Sequence, residues 1–553
     1  MSPKLESKHF IYSFLLIYFL IGLTIYKDYG VGIEEHFQRQ NGFYWLSHFL
    51  SFTNFDDLKI AADIKYQNIL INNPNLPNSN FFKFYGIAFD LPLAFIEIFF
   101  NINTSRLYFE IRHLFSFLVF FISSIFFYKI IKRRFSNNII IFLGIFFFIF
   151  TPRIFGDSFH NNKDILFLSF LTIAIYYLFK LFSKATNKNL ILFCLFSALA
   201  TSSRIMGIYL PIMLILFYFF EFLVEELNLK TFFFKSFKVL IIFYLFLLLH
   251  YPYAWEFSLL KTGLWFKNFF YWMDIEILFN GNYYPIKYLP RSYLPIWIFI
   301  STPFIILIFF FIGSSIIGNI IFKRILKIEN KLDNNKKDLW ITINDKKNLF
   351  IFISFFSFFT YAIFLNVAML SGWRHFYFLH IFIVYLSLVG ANSVYGYLIK
   401  KFNLKITFII TFLISIYFLY TNYKFHPFQS LYFSKMINSK NIKRFQIDTP
   451  NLSRSHALKY IINLEDGNNK KIYIANASWT PMYNGKDMLS ENNQKKLVFV
   501  GQNFNKANYI YTNYVFKSDE RYNKNYKIPV NFKKMYDFQI DNVLIYTIYK
   551  RED

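Results

Sequence analysis

Residues 137–184 read NNIIIFLGIFFFIFTPRIFGDSFHNNKDILFLSFLTIAIYYLFKLFSK. Two apolar runs, near 137–151 and 164–184, flank one short polar stretch. A helix crossing a bilayer needs about 20 predominantly apolar residues, so the segment predicts two spans joined at one rim. The connection TPRIFGDSFHNNKD packs Arg153, Asp157, His160, Asn161, Asn162, Lys163 and Asp164 together. Asp164 opens the second run, where a carboxylate suits a helix N-terminus. That rule does not reach Asp157 or His160. Short links between apolar helices rarely need so many hydrogen-bonding groups, so this stretch reads as a functional cluster.

The same pattern extends outward in both directions. Apolar runs near 10–26, 112–131, 137–151, 164–184, 189–203, 207–224, 237–252, 295–322, 348–368, 377–397 and 405–421 predict about 11 transmembrane helices. The first is read as a retained anchor, because no small-residue cleavage site follows it. Residues 85–101 contain Asp90, Pro92 and Glu97 and are placed along the interface. Composition agrees. Of 553 residues 55% are hydrophobic, 23% aromatic and only 17% charged, against about 25% charged in a soluble domain. Disorder and an ordinary soluble globule are excluded. The single cysteine, Cys194, excludes a disulfide framework and a cysteine zinc site.

The net charge of +26 raises the question of nucleic acid. Its location answers it. With the N-terminus inside, segments 1–9, 129–136, 180–190, 225–238, 323–347 and 400–405 hold 23 Lys and Arg. The short connections on the other side hold Arg153, Lys163, Arg204 and Arg374. This is the asymmetry of a positive-inside topology, and nucleic acid is not needed to explain it. Three larger segments then lie outside: 27–111, 253–294 and 422–553. The last reads as a small α/β domain, with strands over 470–477, 495–501, 507–516 and 542–549 and a helix capped by Ser453. The expected organisation is a membrane domain over 1–422, whose outer loop 27–111 carries interfacial helices, and an extracytoplasmic domain over 423–553. No internal repeat is visible, and 328–347 reads as a polar connector.

The spans carry almost nothing ionisable, whereas ion- or proton-coupled transporters place charges near the midplane. Polar groups gather at the outer rim instead. DYGVGIEEHFQRQNGFYW, 28–45, holds Glu34, Glu35, His36 and Arg39. One of two adjacent carboxylates can face a cavity while the other faces the scaffold. Such a group can deprotonate a hydroxyl or help bind a metal, or simply be solvated. SGWRHFYFLH, 371–380, holds Arg374 and His375. Arg374, Arg204, Arg291 and His250 can each anchor at the interface, and an arginine can also grip a phosphate. Together they form a surface able to hold an anion.

This combination resembles the membrane glycosyltransferases of the GT-C fold, in particular the dolichyl-phosphate-mannose protein mannosyltransferases and bacterial aminoarabinose transferases. The resemblance rests on DYGVGIEEHFQRQNG, PRIFGDSFHNNKD, WRHFYF and HPFQSLYF (426–433), and covers roughly 1–435. The family's acidic pair is usually Asp-Glu, and here the first position is Glu34. Segment 253–294 is too short for the sugar-binding insert of the eukaryotic mannosyltransferases, so a protein acceptor is not implied.

The resemblance implies an enzyme that moves a sugar from a polyprenyl phosphate to an acceptor hydroxyl outside the cytoplasm, with inversion. Glu34 or Glu35 would be the base, with Asp157 as a further catalytic candidate. Asp157, His160, Asn161 and Asp164 would orient substrate or ligate a divalent metal ion, for which Glu35, Asp157 and His160 are the candidates. Lys163, Arg204 and Arg374 would clamp the phosphate, with His375 also binding substrate. Sugar and acceptor (glycan, lipid or protein) stay open. The richness in Lys, Asn, Ile and Phe favours a bacterial inner membrane, with site and tail periplasmic. A transporter or flippase of lipid-linked glycans is the alternative, and an assembly protein with a binding tail is a third reading.

Overall fold

The computed structural model describes residues 3–73, 76, 85–256, 275–326, 339–365, 367–465, 470–515 and 526–552. Among them, eight helices are long and apolar enough to cross a membrane: Ser105–Lys132, Asp164–Ser183, Ile205–Leu223, Leu229–His250, Phe304–Ile325, Ile343–Phe364, Leu379–Lys401 and Leu404–Phe425. A ninth is the pair Asn138–Phe150 and Pro152–His160, bent by 54°. Pro152 causes the bend. It lacks a backbone N–H, and it drives the preceding Thr151 out of the helical region, to φ −62° and ψ 116°. Proline is well placed as the first residue of the new helix. The expected rim loop 151–164 is therefore mostly a buried helix.

Eleven spans were expected; two of those runs are not among the spans above, and a third is broken. The first run lies in the helix Pro3–Ile25, whose apolar part is His9–Ile25. The run at 189–203 lies in Asn187–Ser203, which at 17 residues is too short to cross alone and has polar ends. The run at 295–322 is broken before Pro303 into Tyr293–Ser301 and Phe304–Ile325. The connector over 328–347 lies outside the described residues as far as 338, and the chain is helical from Ile343. Where Phe304–Ile325 crosses Leu379–Lys401, Gly313 faces the Leu386 carbonyl and Gly390 faces the Phe309 carbonyl, with no room for a Cβ. Small residues let the two backbones touch.

The stretch after the first helix is not an extended loop. From Glu35 it becomes the helix Glu35–Leu50, which packs on Asp56–Asn72 and Asp90–Phe99. Within 85–101, the helix Asp90–Phe99 turns Asp90, Leu93, Ala94 and Glu97 inward and leaves Phe95 and Phe99 exposed. That spacing is one helical face. The inward charges are paired. Arg39 Nε donates to Glu97 at 2.9 Å, and the guanidinium lies 3.8 Å from the Tyr108 ring centre. Arg112 reaches Asp90 at 3.5 Å.

In the segment between the membrane helices, β1 (Glu276–Phe279) and β2 (Asn282–Pro285) form an antiparallel hairpin. The tail holds β3 (Ile472–Asn476), β4 (Leu497–Phe499), β5 (Tyr509–Thr512), β6 (Phe532–Ile540) and β7 (Val543–Arg551), in the mixed order β4-β3-β5-β7-β6. Four strands fall where alternation predicted them. β6 escaped because register shifts at Lys534/Tyr536 and Phe538/Gln539 break its alternation. The helix Ser453–Leu464 is present, but Ser453 is not its cap. Asp448 accepts from the backbone N–H groups of Leu452, at 3.1 Å, and of Ser453.

The tail grips the segment that carries Glu34. Ile33 N donates to Pro450 O at 3.2 Å, and the buried Arg454 donates to Val31 O at 3.0 Å. His36 Nε2 meets Asp487 Oδ2 at 2.7 Å. A Cβ on Gly30 would strike the Leu452 carbonyl. Removing one partner of a buried ion pair costs about 3–5 kcal/mol. Glu97→Gln should therefore lower the thermal midpoint of the solubilised protein markedly. An unchanged midpoint would show that the Arg39–Glu97 pair does not hold this helix.

Candidate active site

The two adjacent glutamates part company at the helix start. Glu35 is 1% exposed. Its carboxylate accepts from Gly32 N at 2.7 Å and meets His113 Nε2, from the helix Ser105–Lys132, at 3.1 Å. The Glu34 side chain keeps 29% of its surface and pairs with Arg374. One step along a helix turns a side chain by roughly 100°, so one carboxylate enters the scaffold and the other faces the rim.

Glu34 belongs to a chain of ion pairs drawn from four segments. Arg374, in the turn Arg374–Phe376, also lies 3.9 Å from Asp164. Asp164 accepts from Arg204 Nε at 2.7 Å. Burial works against the Glu34 carboxylate, but Arg374, Lys163 and Arg204 overcome it and hold its pKa well below the usual range. Burial likewise opposes the Arg374 charge, which Glu34 and Asp164 restore. Burial and the neighbouring Arg204 push the Lys163 ammonium down to about 8. His375 is kept neutral, first by burial and then by Arg204 and Arg374. The rim is thus rich in cations, with one partly accessible carboxylate among them.

Asp157 lies deeper. His160 Nε2 is 3.2 Å from Asp157 Oδ1, and the Ser430 hydroxyl donates to the same oxygen. His160 also meets Ser430 at 3.0 Å. Asn161 donates to Asp157 at 3.3 Å and to Asp164 at 3.1 Å, bridging the inner cluster to the rim. Of the metal candidates, Asp157 and His160 are therefore neighbours, while Glu35 is engaged by His113 and Gly32. Among the described residues, no three His, Cys, Asp or Glu groups converge as a metal would require.

Other sequence candidates lie apart from this chain. Arg291 is exposed and stacks near Phe364. The His250 carbonyl accepts from Ile87 N. Arg153 donates to Tyr432 O at 2.9 Å and lies over Trp297 and Phe433. Sequence reading passed over His113 and Ser430, which hold Glu35 and Asp157. A histidine inside an apolar run was the signal for His113; Ser430 carried none beyond its place in HPFQSLYF. Glu35 offers a check on the scaffold role. A buried acceptor lost to a neighbour costs about 1–3 kcal/mol. Glu35→Gln should lower stability by about that amount in thermal unfolding, and an unaltered melt would contradict the His113 and Gly32 pairing.

Residues 91–253 match the dolichyl-phosphate-mannose-protein mannosyltransferase family. The matched part contains Asp157, His160, Asn161, Lys163, Asp164 and Arg204; Glu34, Glu35, Arg374 and His375 lie outside it. No curated protein matches the chain. The apolar helices make the chain an integral membrane protein, and over 91–253 it is similar to mannosyltransferase-like membrane glycosyltransferases of the GT-C type.

Proposed function

We propose that this protein transfers a sugar from a polyprenyl-phosphate donor to an acceptor hydroxyl, with inversion, on the extracytoplasmic face of a bacterial inner membrane. The observation that carries the reading is the partly accessible Glu34 among Arg374, Arg204 and Lys163, at the end of an apolar helix bundle. A polyprenyl donor keeps its tail in lipid and its phosphosugar head at the interface. It therefore needs apolar flanks and a cationic rim.

The steps balance with the residues present. The acceptor oxygen forms a bond to the anomeric carbon. The bond from that carbon to the phosphate oxygen breaks, and its electron pair leaves with the polyprenyl phosphate. The acceptor proton passes to Glu34. Phosphate monoesters have a second pKa near 6, so this leaving group departs without a general acid. Lys163, Arg204 and Arg374 stabilise the charge it gains. In the resting site Arg374 makes Glu34 a weak base. An arriving phosphate competes for Arg374 and raises the basicity of Glu34 where the proton must be taken. Asp157, His160 and Asn161 hold Asp164 and the helix break in register, and His375 contributes a neutral imidazole beside the phosphate.

General-base catalysis is worth about 10²–10⁴-fold. Glu34→Gln should reduce sugar transfer by at least about 10²-fold while donor binding persists. Normal turnover in folded Glu34→Gln would end the assignment. Lys163 is charged below its pKa of about 8 and neutral above it. Affinity for polyprenyl phosphate should therefore fall as pH rises through about 8, and Lys163→Arg should flatten that limb. An unchanged limb in the arginine variant would remove Lys163 from the clamp.

A further inference from the structure

The helices Ser105–Lys132 and Asp164–Ser183 pack together and end on the side away from Glu34 and Arg374. Asp164 opens its helix at the rim, and Lys180 lies about 24 Å further along it. Here three cations converge on one ring. Tyr176 is 8% exposed. Arg133 Cζ lies 5.2 Å from its ring centre, Lys180 Nζ 5.5 Å and Lys129 Nζ 5.9 Å. One such contact is an ordinary cation–π pair. Three bring like charges together, and each disfavours the other two. Among the described residues, the carboxylates paired at this end go elsewhere: Asp345 to Arg324 at 3.1 Å and Glu221 to Lys346. No ion pair among the described residues reaches Lys129, Arg133 or Lys180. The buried Lys347, from Ile343–Phe364, feels the charges of Arg133 and Arg134 as well. The cluster is short of an anion.

The surface beside the cations selects that anion. On Ser105–Lys132, the positions of Ile122, Phe126, Lys129 and Arg133 fall on one helical face. Ile122 is 46% exposed, and Lys129 and Arg133 are exposed too. On Asp164–Ser183, Tyr177 and Lys180 share a face by the same spacing, and the Tyr177 ring lies 5.9 Å from that of Phe126. Each helix thus shows apolar or aromatic surface toward the middle of the bilayer and cations at its end. A soluble phosphate has no use for the apolar part. A phospholipid uses both parts, with an acyl chain along Ile122 and Phe126 and its phosphate among the cations. A zwitterionic headgroup brings a cation of its own, whereas an anionic one leaves the cluster neutralised.

We infer that Lys129, Arg133 and Lys180, set around Tyr176, form a seat for the phosphate headgroup of an anionic phospholipid in the leaflet opposite the candidate active site. The seat is independent of the sugar transfer proposed above. The full-length protein in detergent micelles would be titrated with phosphatidylglycerol and with phosphatidylcholine of the same chains, and bound lipid read by native mass spectrometry. The wild type should bind phosphatidylglycerol at least about tenfold more tightly. Arg133→Gln combined with Lys180→Gln should erase that preference. Lys129→Gln, which changes one exposed side chain, should erase part of it and decides the matter should the double variant unfold. Lys400→Gln combined with Lys401→Gln removes the same charge at the same end, from the helix Leu379–Lys401, and should keep the preference. A lipid-free melting midpoint equal to that of the wild type shows that a variant is folded. The inference is overturned if the wild type binds both lipids alike, or if the folded Arg133 and Lys180 variant keeps the preference. It is equally overturned if the Lys400 and Lys401 variant loses as much, which means diffuse charge, or if inorganic phosphate displaces phosphatidylglycerol, which means that the apolar face plays no part.

Discussion

Arg374 holds the rim together. Its guanidinium pairs with Glu34 from the segment after the first helix and approaches Asp164 at the start of another helix, and Asp164 in turn binds Arg204. An unpaired charge buried at the end of an apolar bundle would cost several kcal/mol. The four segments are therefore bound to one another by these paired charges. The need to pair buried charge gives the rim its shape, and that shape leaves the Glu34 carboxylate partly accessible.

Two further layers support this arrangement. Beneath it, the Pro152 break turns the chain so that Asp157 and His160 face Ser430, and Asn161 carries the connection up to Asp164. Beside it, the tail holds the chain on both sides of Glu34, through the backbone of Val31 and Ile33 and the side chain of His36. The helix Glu35–Leu50 is pinned by Arg39 against Glu97 and Tyr108. Glu34 is thus positioned from two sides by residues far away in the chain.

Much of this was legible from residue order. The apolar runs marked the bundle, and the density of polar groups at 151–164 marked the inner cluster. Lys163, Arg204 and Arg374 stood out as cations beside apolar helices. Four strands of the tail showed as short alternating runs. The spans at 189–203 and 295–322 misled, because hydropathy averages over Asn187–Ser203 and over the break before Pro303 alike.

Sequence alone determined that this chain is a membrane helix bundle with its polar clusters between the apolar runs, because apolar length and the rarity of internal charge are one-dimensional properties. It also singled out two adjacent glutamates, Glu34 and Glu35, as candidates for the proposed base. Tertiary structure decided between their environments. Glu35 meets His113 and Glu34 meets Arg374, partners 78 and 340 residues away. The turn of a single helical residue separates them, and no local pattern encodes which long-range partner each will find.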